Sequence, residues 1–288
     1  MQTLRKYDRL TAQSLPVAQS AYMDRVTPFH MVGNTYYVGN RLCSAVLVDT
    51  GDGLILLDTP FGFSTYLLIQ SIWELGLNPG DIKYILHTHA HNDHFGCTAV
   101  FRALYGAKTF IGEIDAEIME NMRKGEKRAF GREEGEEIPA MDVWLRDGDE
   151  VTLGDTTVRC VLSPGHTQGA VSYFWQTLED GKTYTCGLFG GAGFNTLCWD
   201  YFEDFGVSET IRDDFEATLT RLALEQVDVH VGNHPMQSDA FGKREQKEAG
   251  AKENPFVAPG EWARFLLETK ANFQAFRAQD DAEHSSGA

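Results

Sequence analysis

The sequence predicts a mixed α/β domain in which two β-sheets pack together with helices outside. Three observations carry this. Signals run in the order strands, helix, strand, helix, and the same order returns in the second half. The strand signals are short β-branched or aromatic runs cut by Gly-containing turns such as "GN" and "GDG". No cluster of Gly, Pro and Ser separates the halves, so both belong to one domain.

Taken in order, residues 1–28 read as an N-terminal extension of weak helical character. "NTYYVGN" (34–40), "CSAVLVDT" (43–50) and "GLILLDT" (53–59) predict a meander of antiparallel strands. Residues 63–77 place apolar side chains at helical spacing and end near Gly76 and Pro79. "IKYILHT" (82–88) is a short apolar strand that runs into a histidine-rich segment. Residues 92–106 read as loop into helix, with Gly106 as the stop. "KTFIG" is a strand and 113–124 a helix. The charged, Gly-interrupted stretch 124–138 predicts an exposed loop, with a mobile flap beside a site as the sharper alternative. Strands resume at 143–153, 156–163, 170–176 and 183–189, and a Gly-rich turn, "GGAGFN" (190–195), follows. Residues 208–226 are strongly amphipathic, with Ser208 placed to cap a helix. "VDVHVGNHP" predicts a strand and a turn, 261–277 a last helix, and 280–288 a disordered tail. The predicted domain is therefore 29–279.

The 288 residues are 42% apolar and include eighteen Phe, enough for a sizeable core. A formal net charge of −17 argues against nucleic acid or an anionic membrane surface as partner, because phosphate binding needs clustered Lys and Arg. No stretch approaches the roughly 20 apolar residues of a membrane span. The first 26 residues contain no apolar segment of the secretory kind, so a cytoplasmic protein is expected. Five cysteines without metal-type spacing read as reduced, mostly buried thiols.

The chemistry concentrates in "HTHAHNDH" (87–94), which holds four of the nine histidines. His89, Ala90, His91, Asn92, Asp93 and His94 spell H-x-H-x-D-H. Zinc binds neutral imidazole nitrogen and carboxylate oxygen. Alternate residues of an extended loop point the same way, so His89 and His91 can share one ion. Asp93 and His94 then turn toward a second. Two other histidines sit in turns after strands: His166 in "SPGHTQG" and His234 in "VGNHP". His89, His91 and His166 would leave one position open on the first ion, and Asp93, His94 and His234 one on the second. Three protein ligands plus water is the catalytic arrangement.

H-x-H-x-D-H, the later "PGHT" and the final "NHP" together resemble the metallo-β-lactamase superfamily, and the opening and middle strands resemble it too. Among its members the chain is most similar to the lactamase subclass whose zinc ligands are all His and Asp. The resemblance implies an αββα four-layer sandwich and two zinc ions at the mouth between the sheets. It also implies that Asp58, in "LLDT", is the strand-end aspartate close to the metals. Hydroxyacylglutathione hydrolases and many lactonases carry a bridging Asp between the "GHT" histidine and the last one. The corresponding stretch here, "TCGLFGGAGFN", has none. All-His/Asp lactamases often have a Ser there for the drug's carboxylate, where this chain has Gly190, Gly191 and Ala192.

The expected activity is attack on a carbonyl of a small amide, lactam, lactone or ester, with Asp93 orienting the nucleophile. Phosphodiester or thioester hydrolysis on the same parts is the alternative, as is a non-catalytic metal-binding role. A di-iron oxidoreductase would typically replace His91 with Glu. His87 reads as support for the cluster and His230 as core. Phe194, Asn195, Trp199 and Tyr201, after the Gly-rich turn, are the expected substrate contacts.

Overall fold

The structure is a computed structural model and describes residues 5–14, 22–125 and 137–287. Most of the charged stretch expected to form a loop or flap lies outside the described residues. The first sheet holds β1 (Phe29–Val32), β2 (Thr35–Tyr37), β3 (Val46–Asp49), β4 (Leu54–Leu57), β5 (Ile82–Leu86), β6 (Lys108–Gly112) and β7 (Val143–Leu145), in that order. The antiparallel meander β1–β4 is as predicted, apart from the extra first strand. From β4 onward the neighbours are parallel. Parallel neighbours need crossovers, which α2 (Thr65–Glu74) and α4 (Thr98–Tyr105) supply, while α5 (Glu113–Arg123) follows β6. The helix α1 (Lys6–Ser14) precedes this sheet, and the short α3 (Asn92–Phe95) precedes α4.

The second sheet runs β12-β11-β10-β9-β8. Its strands are β8 (Glu150–Leu153), β9 (Thr156–Leu162), β10 (Val171–Glu179), β11 (Lys182–Leu188) and β12 (Val229–Val231). Its neighbours are antiparallel except β11 with β12. Between β11 and β12 lie α6 (Trp199–Phe205) and α7 (Ile211–Leu222), and α8 (Ala240–Glu248) and α9 (Glu261–Gly287) follow β12. Ser208 stands before α7, where its Oγ accepts a 3.3 Å bond from the Thr210 amide.

Alternation along the strands builds the layers. Val46, Val48, Ile55 and Leu57 meet Cys160, Tyr173, Trp175 and Leu188 between the sheets. Leu47, Leu54, Leu56 and Ile85 face the other way and pack on Leu68, Ile72 and Phe101 of α2 and α4. β4 reads "LILL" with every residue buried because both its faces are covered. On the far side Phe174 and Phe189 pack against Phe215, Leu219, Trp262 and Phe273 of α7 and α9. The result is the αββα sandwich.

Two ends of the chain differ from expectation for one reason, long-range ion pairs. α9 runs through 280–287, where a disordered tail is predicted. The buried Arg212 guanidinium pairs with Asp280 and Asp281, and Lys6 Nζ lies 2.8 Å from Asp280. The same anchor docks α1. Tyr7 meets Tyr201 and Phe205 of α6 edge-on, with ring centres 5.9 and 5.7 Å apart.

His230 of β12 is core, against Trp262 and Phe265. Among the described residues neither of its ring nitrogens has a hydrogen-bond partner. Burial, helped by Lys243 and Arg264, lowers its pKa to about 3. As pH falls below about 6.5 the unfolded chain takes up this proton first, so stability present above 6.5 is lost toward pH 3. His230→Leu is expected to add about 1 kcal/mol at pH 7.5. Its advantage over the parent should grow by about 2 kcal/mol at pH 5. Denaturant unfolding of both proteins at the two pH values checks this, and parallel pH dependences would count against it.

Candidate metal centre

β4 and β5 end side by side, Leu57 opposite Leu86, so Asp58 and the His87–His94 segment leave the first sheet together. His166 follows β9 and His234 follows β12, so both reach the same mouth from the second sheet. Ligand sites outside the carboxyl ends of strands are the rule for such sheets.

Nitrogens of His89, His91 and His166 lie within 4.8 Å of one another. His91 Nδ1 is 3.0 Å from His89 Nε2 and 3.1 Å from His166 Nε2. A tetrahedral ion with bonds of about 2.0–2.1 Å sets its donors about 3.3 Å apart, close to the spacing seen. A second group, Asp93, His234 and Cys43, also falls within 4.8 Å. His94 Nε2 stands 3.3 Å from Asp93 Oδ2, and His234 Nε2 3.7 Å from the same oxygen.

The outward ring nitrogens fix the tautomers. His166 Nδ1 donates to Gly193 O at 2.9 Å, and His234 Nδ1 to Leu42 O at 2.8 Å. A carbonyl only accepts, so in each neutral ring the Nε2 lone pair faces the cluster. His94 Nδ1 donates to Asp58 Oδ2 at 2.8 Å. Thr88 Oγ1 donates to the other side of Asp58 Oδ2 at 2.7 Å and so accepts from His89 Nδ1 at 3.0 Å. Among the described residues the buried His94 Nε2 has no hydrogen-bond partner. A buried nitrogen without a hydrogen bond, 3.3 Å from a carboxylate oxygen, suits a ligand position. The residues fit two divalent ions.

Protonation agrees. Burial, then neighbouring imidazoles, holds His89 and His91 well below the usual histidine range, and burial lowers His166 to about 4. Burial alone would raise the Asp93 pKa. The imidazoles of His94, His234 and His91 reverse that and hold it well below the carboxylate range. Burial likewise opposes a charge on His94, but Asp93 and Asp58 push its pKa up to about 10. A divalent ion would displace that proton.

His87 stands behind the cluster. Its Nδ1 donates to His94 O at 2.9 Å, and its Nε2 lies 3.3 Å from Thr98 Oγ1. Asp58 sits in the left-handed region at φ 57° and also accepts from the Thr88 amide at 2.7 Å. Its backbone strain is offset by four anchors, counting its own N–H to Leu86 O.

A cavity beside His91 and His166 is walled by Ile118, Met122, Tyr201, Phe205, Val207 and Ile211. Of the four expected substrate contacts, Tyr201 lines it. Phe194 instead packs among Phe215, Phe273 and Phe276. Trp199 stacks on His284 and donates to Asp281. Asn195 Nδ2 donates to Thr11 Oγ1. Phe194 goes to the α7–α9 core, and Trp199 to the end of α9, which is longer than expected. The Gly-rich turn has a local reason: a Cβ on Gly191 would lie 2.6 Å from the His166 ring.

Sequence reasoning missed Asp115. It is fully buried in the first turn of α5, and it accepts from the Ala90 amide (2.9 Å), the Gly169 amide (2.8 Å) and Thr167 Oγ1 (2.7 Å). It thereby joins the His89–His91 loop to the His166 loop. Burial raises its pKa against those three bonds.

Fold and cluster together are those of the metallo-hydrolase superfamily. The sequence pattern of the metallo-beta-lactamase superfamily matches residues 38–178. BJP-1, a subclass B3 metallo-beta-lactamase of Bradyrhizobium japonicum, is similar at 30% identity and TM-score 0.83, over 93% of this chain and 99% of that one. A metallo-beta-lactamase of Cronobacter sakazakii is similar at 27% identity and TM-score 0.77, over 89% and 100%. The chain belongs to the metallo-β-lactamase superfamily. A hydroxyacylglutathione hydrolase of Methylococcus capsulatus is 33% identical over 115 residues, 40% of this chain, and that match spans 34% of the relative's length. Among the described residues no helix is long and apolar enough to cross a membrane.

Proposed function

We propose that this protein is a dizinc hydrolase of small, largely uncharged amides, lactams, lactones or esters. His89, His91 and His166 would hold one ion, and Asp93, His94 and His234 the other. Ions held this way supply a nucleophile drawn from water near pH 7 and polarise a carbonyl oxygen. Asp93, ionised and facing both donor sets, orients the nucleophile. Asp58 and His87 keep His94 in place, and Tyr201 and Phe205 receive the apolar part of the substrate. The open position left by three imidazoles on the first ion favours catalysis over simple metal storage.

The observation that carries the substrate class is the cavity wall. Among the described residues it contains no Lys or Arg, whereas stabilising a phosphodiester calls for cationic groups. The curated relatives favour a second reading, thioester hydrolysis of a glutathione conjugate. A panel of β-lactams, lactones, carboxylic esters, thioesters and phosphodiesters on zinc-loaded protein separates them. An uncharged lactone or ester should give the highest kcat/KM. Preference for the phosphodiester, or no turnover of any of them by protein carrying two zincs, would overturn the reading.

A further inference from the structure

The segment before β3 brings a thiol to the second donor set. Tyr37 OH donates to Asn40 O at 2.5 Å, and Asn40 Oδ1 accepts the amides of Leu42 and Cys43 at 2.9 and 2.8 Å. Leu42 O accepts a hydrogen bond from His234 Nδ1, and the Ser44 amide donates to Asn233 O at 2.9 Å. Residues 42–44 are thus bound on both sides to the His234 turn. Between those anchors Cys43, fully buried, places Sγ 3.9 Å from Asp93 Oδ2 and within 4.8 Å of the His234 donor. The buried Nε2 of His94, which makes no hydrogen bond among the described residues, lies 3.3 Å from the same carboxylate oxygen.

We propose that Cys43 Sγ is a fourth protein ligand to the second ion, giving that ion one thiolate, one carboxylate and two imidazoles. The inference rests on the reading above that this cluster holds two ions. The ligand set then departs from the all-His/Asp pattern that the motif predicts. A divalent ion deprotonates a coordinating thiol outright. The S–H bond breaks, the proton leaves to solvent, and the sulfur lone pair binds the metal without any change of oxidation state. The two ions become unequal. The first keeps its open position beside the cavity, and the second is held more tightly, by softer donors.

Cobalt(II)-loaded full-length protein tests this. Thiolate coordination gives intense near-ultraviolet ligand-to-metal charge-transfer absorption, which a thiol merely hydrogen-bonded to Asp93 does not. The band is expected in the parent protein at two equivalents of metal. It should be absent from Cys43→Ser and Cys43→Ala, which should bind the second equivalent about 100-fold more weakly. X-ray absorption of the zinc-loaded parent should show a sulfur neighbour at about 2.3 Å. That measurement needs no variant to fold. A parent that binds two ions with no sulfur signal overturns the proposal and leaves the dizinc reading standing. A band that persists in both variants belongs to another thiol and also overturns it. A parent that binds no metal removes the reading on which the proposal rests.

Discussion

Asp93→Asn will lower kcat/KM for the best substrate by about 100-fold or more at saturating zinc, roughly 2.7 kcal/mol of transition-state stabilisation. The substitution keeps the shape of the side chain and removes its charge. In the parent that charge lies 3.3 Å from His94 Nε2 and 3.7 Å from His234 Nε2. The three imidazoles that hold Asp93 ionised would in turn face a neutral amide. The second ion loses its anionic oxygen, and the nucleophile loses its orientation. The first donor set, whose nitrogens all come from imidazoles, should still bind. Metal analysis should therefore show the second zinc held more weakly than in the parent and the first unchanged. Turnover near that of the parent, with both zincs retained, would remove Asp93 from the role assigned to it.

Asp115→Ala is expected to be the most damaging change away from the ligands themselves. It strands three donors: the amides of Ala90 and Gly169 and the Thr167 hydroxyl. Each buried donor left unpaired is worth about 1–3 kcal/mol, so a loss of about 3–5 kcal/mol of stability is expected. Ala90 lies between His89 and His91, and Thr167 follows His166. The variant should therefore also weaken binding at the first donor set while sparing the second. Asp115→Asn, which can still accept through its amide oxygen, should fall between the two. Denaturant unfolding and competitive zinc titration read the two effects separately. A stability change below about 1 kcal/mol would mean that water replaces the carboxylate.

The clustering of these side chains was legible because most of it is local. H-x-H-x-D-H occupies one strand-end loop, and His166 and His234 each sit in a turn after a strand, where side chains face a mouth and not a core. Asp115 was not legible because its partners lie 25, 52 and 54 residues away, and an acidic residue in a first helical turn already has a local explanation. Cys43 reads as one more apolar residue opening a strand. Only the pairing of residues 42–44 with the His234 turn brings its sulfur beside Asp93. Phe194 and Trp199 were misplaced for a general reason: an aromatic ring fits a core and a pocket wall equally well, and only the neighbours decide. Phe194's neighbours come from both α7 and α9, and Trp199's belong to the end of α9, which depends on Arg212 and Lys6, residues far away in sequence.

The donors come from both halves of the sandwich: four from the loop after β5, one after β9 and one after β12. An ion bound here is therefore also a rivet through the sheet interface. Unfolding must break it, so free zinc enters the folding equilibrium by mass action, adding about 2.7 kcal/mol at a hundred times the dissociation constant. If the cluster holds zinc as proposed, a shortage of zinc would cost the protein in two ways at once. On the dizinc reading the remaining molecules would be idle, and they would also be shorter-lived, because the metal cross-link between the two sheets would be missing.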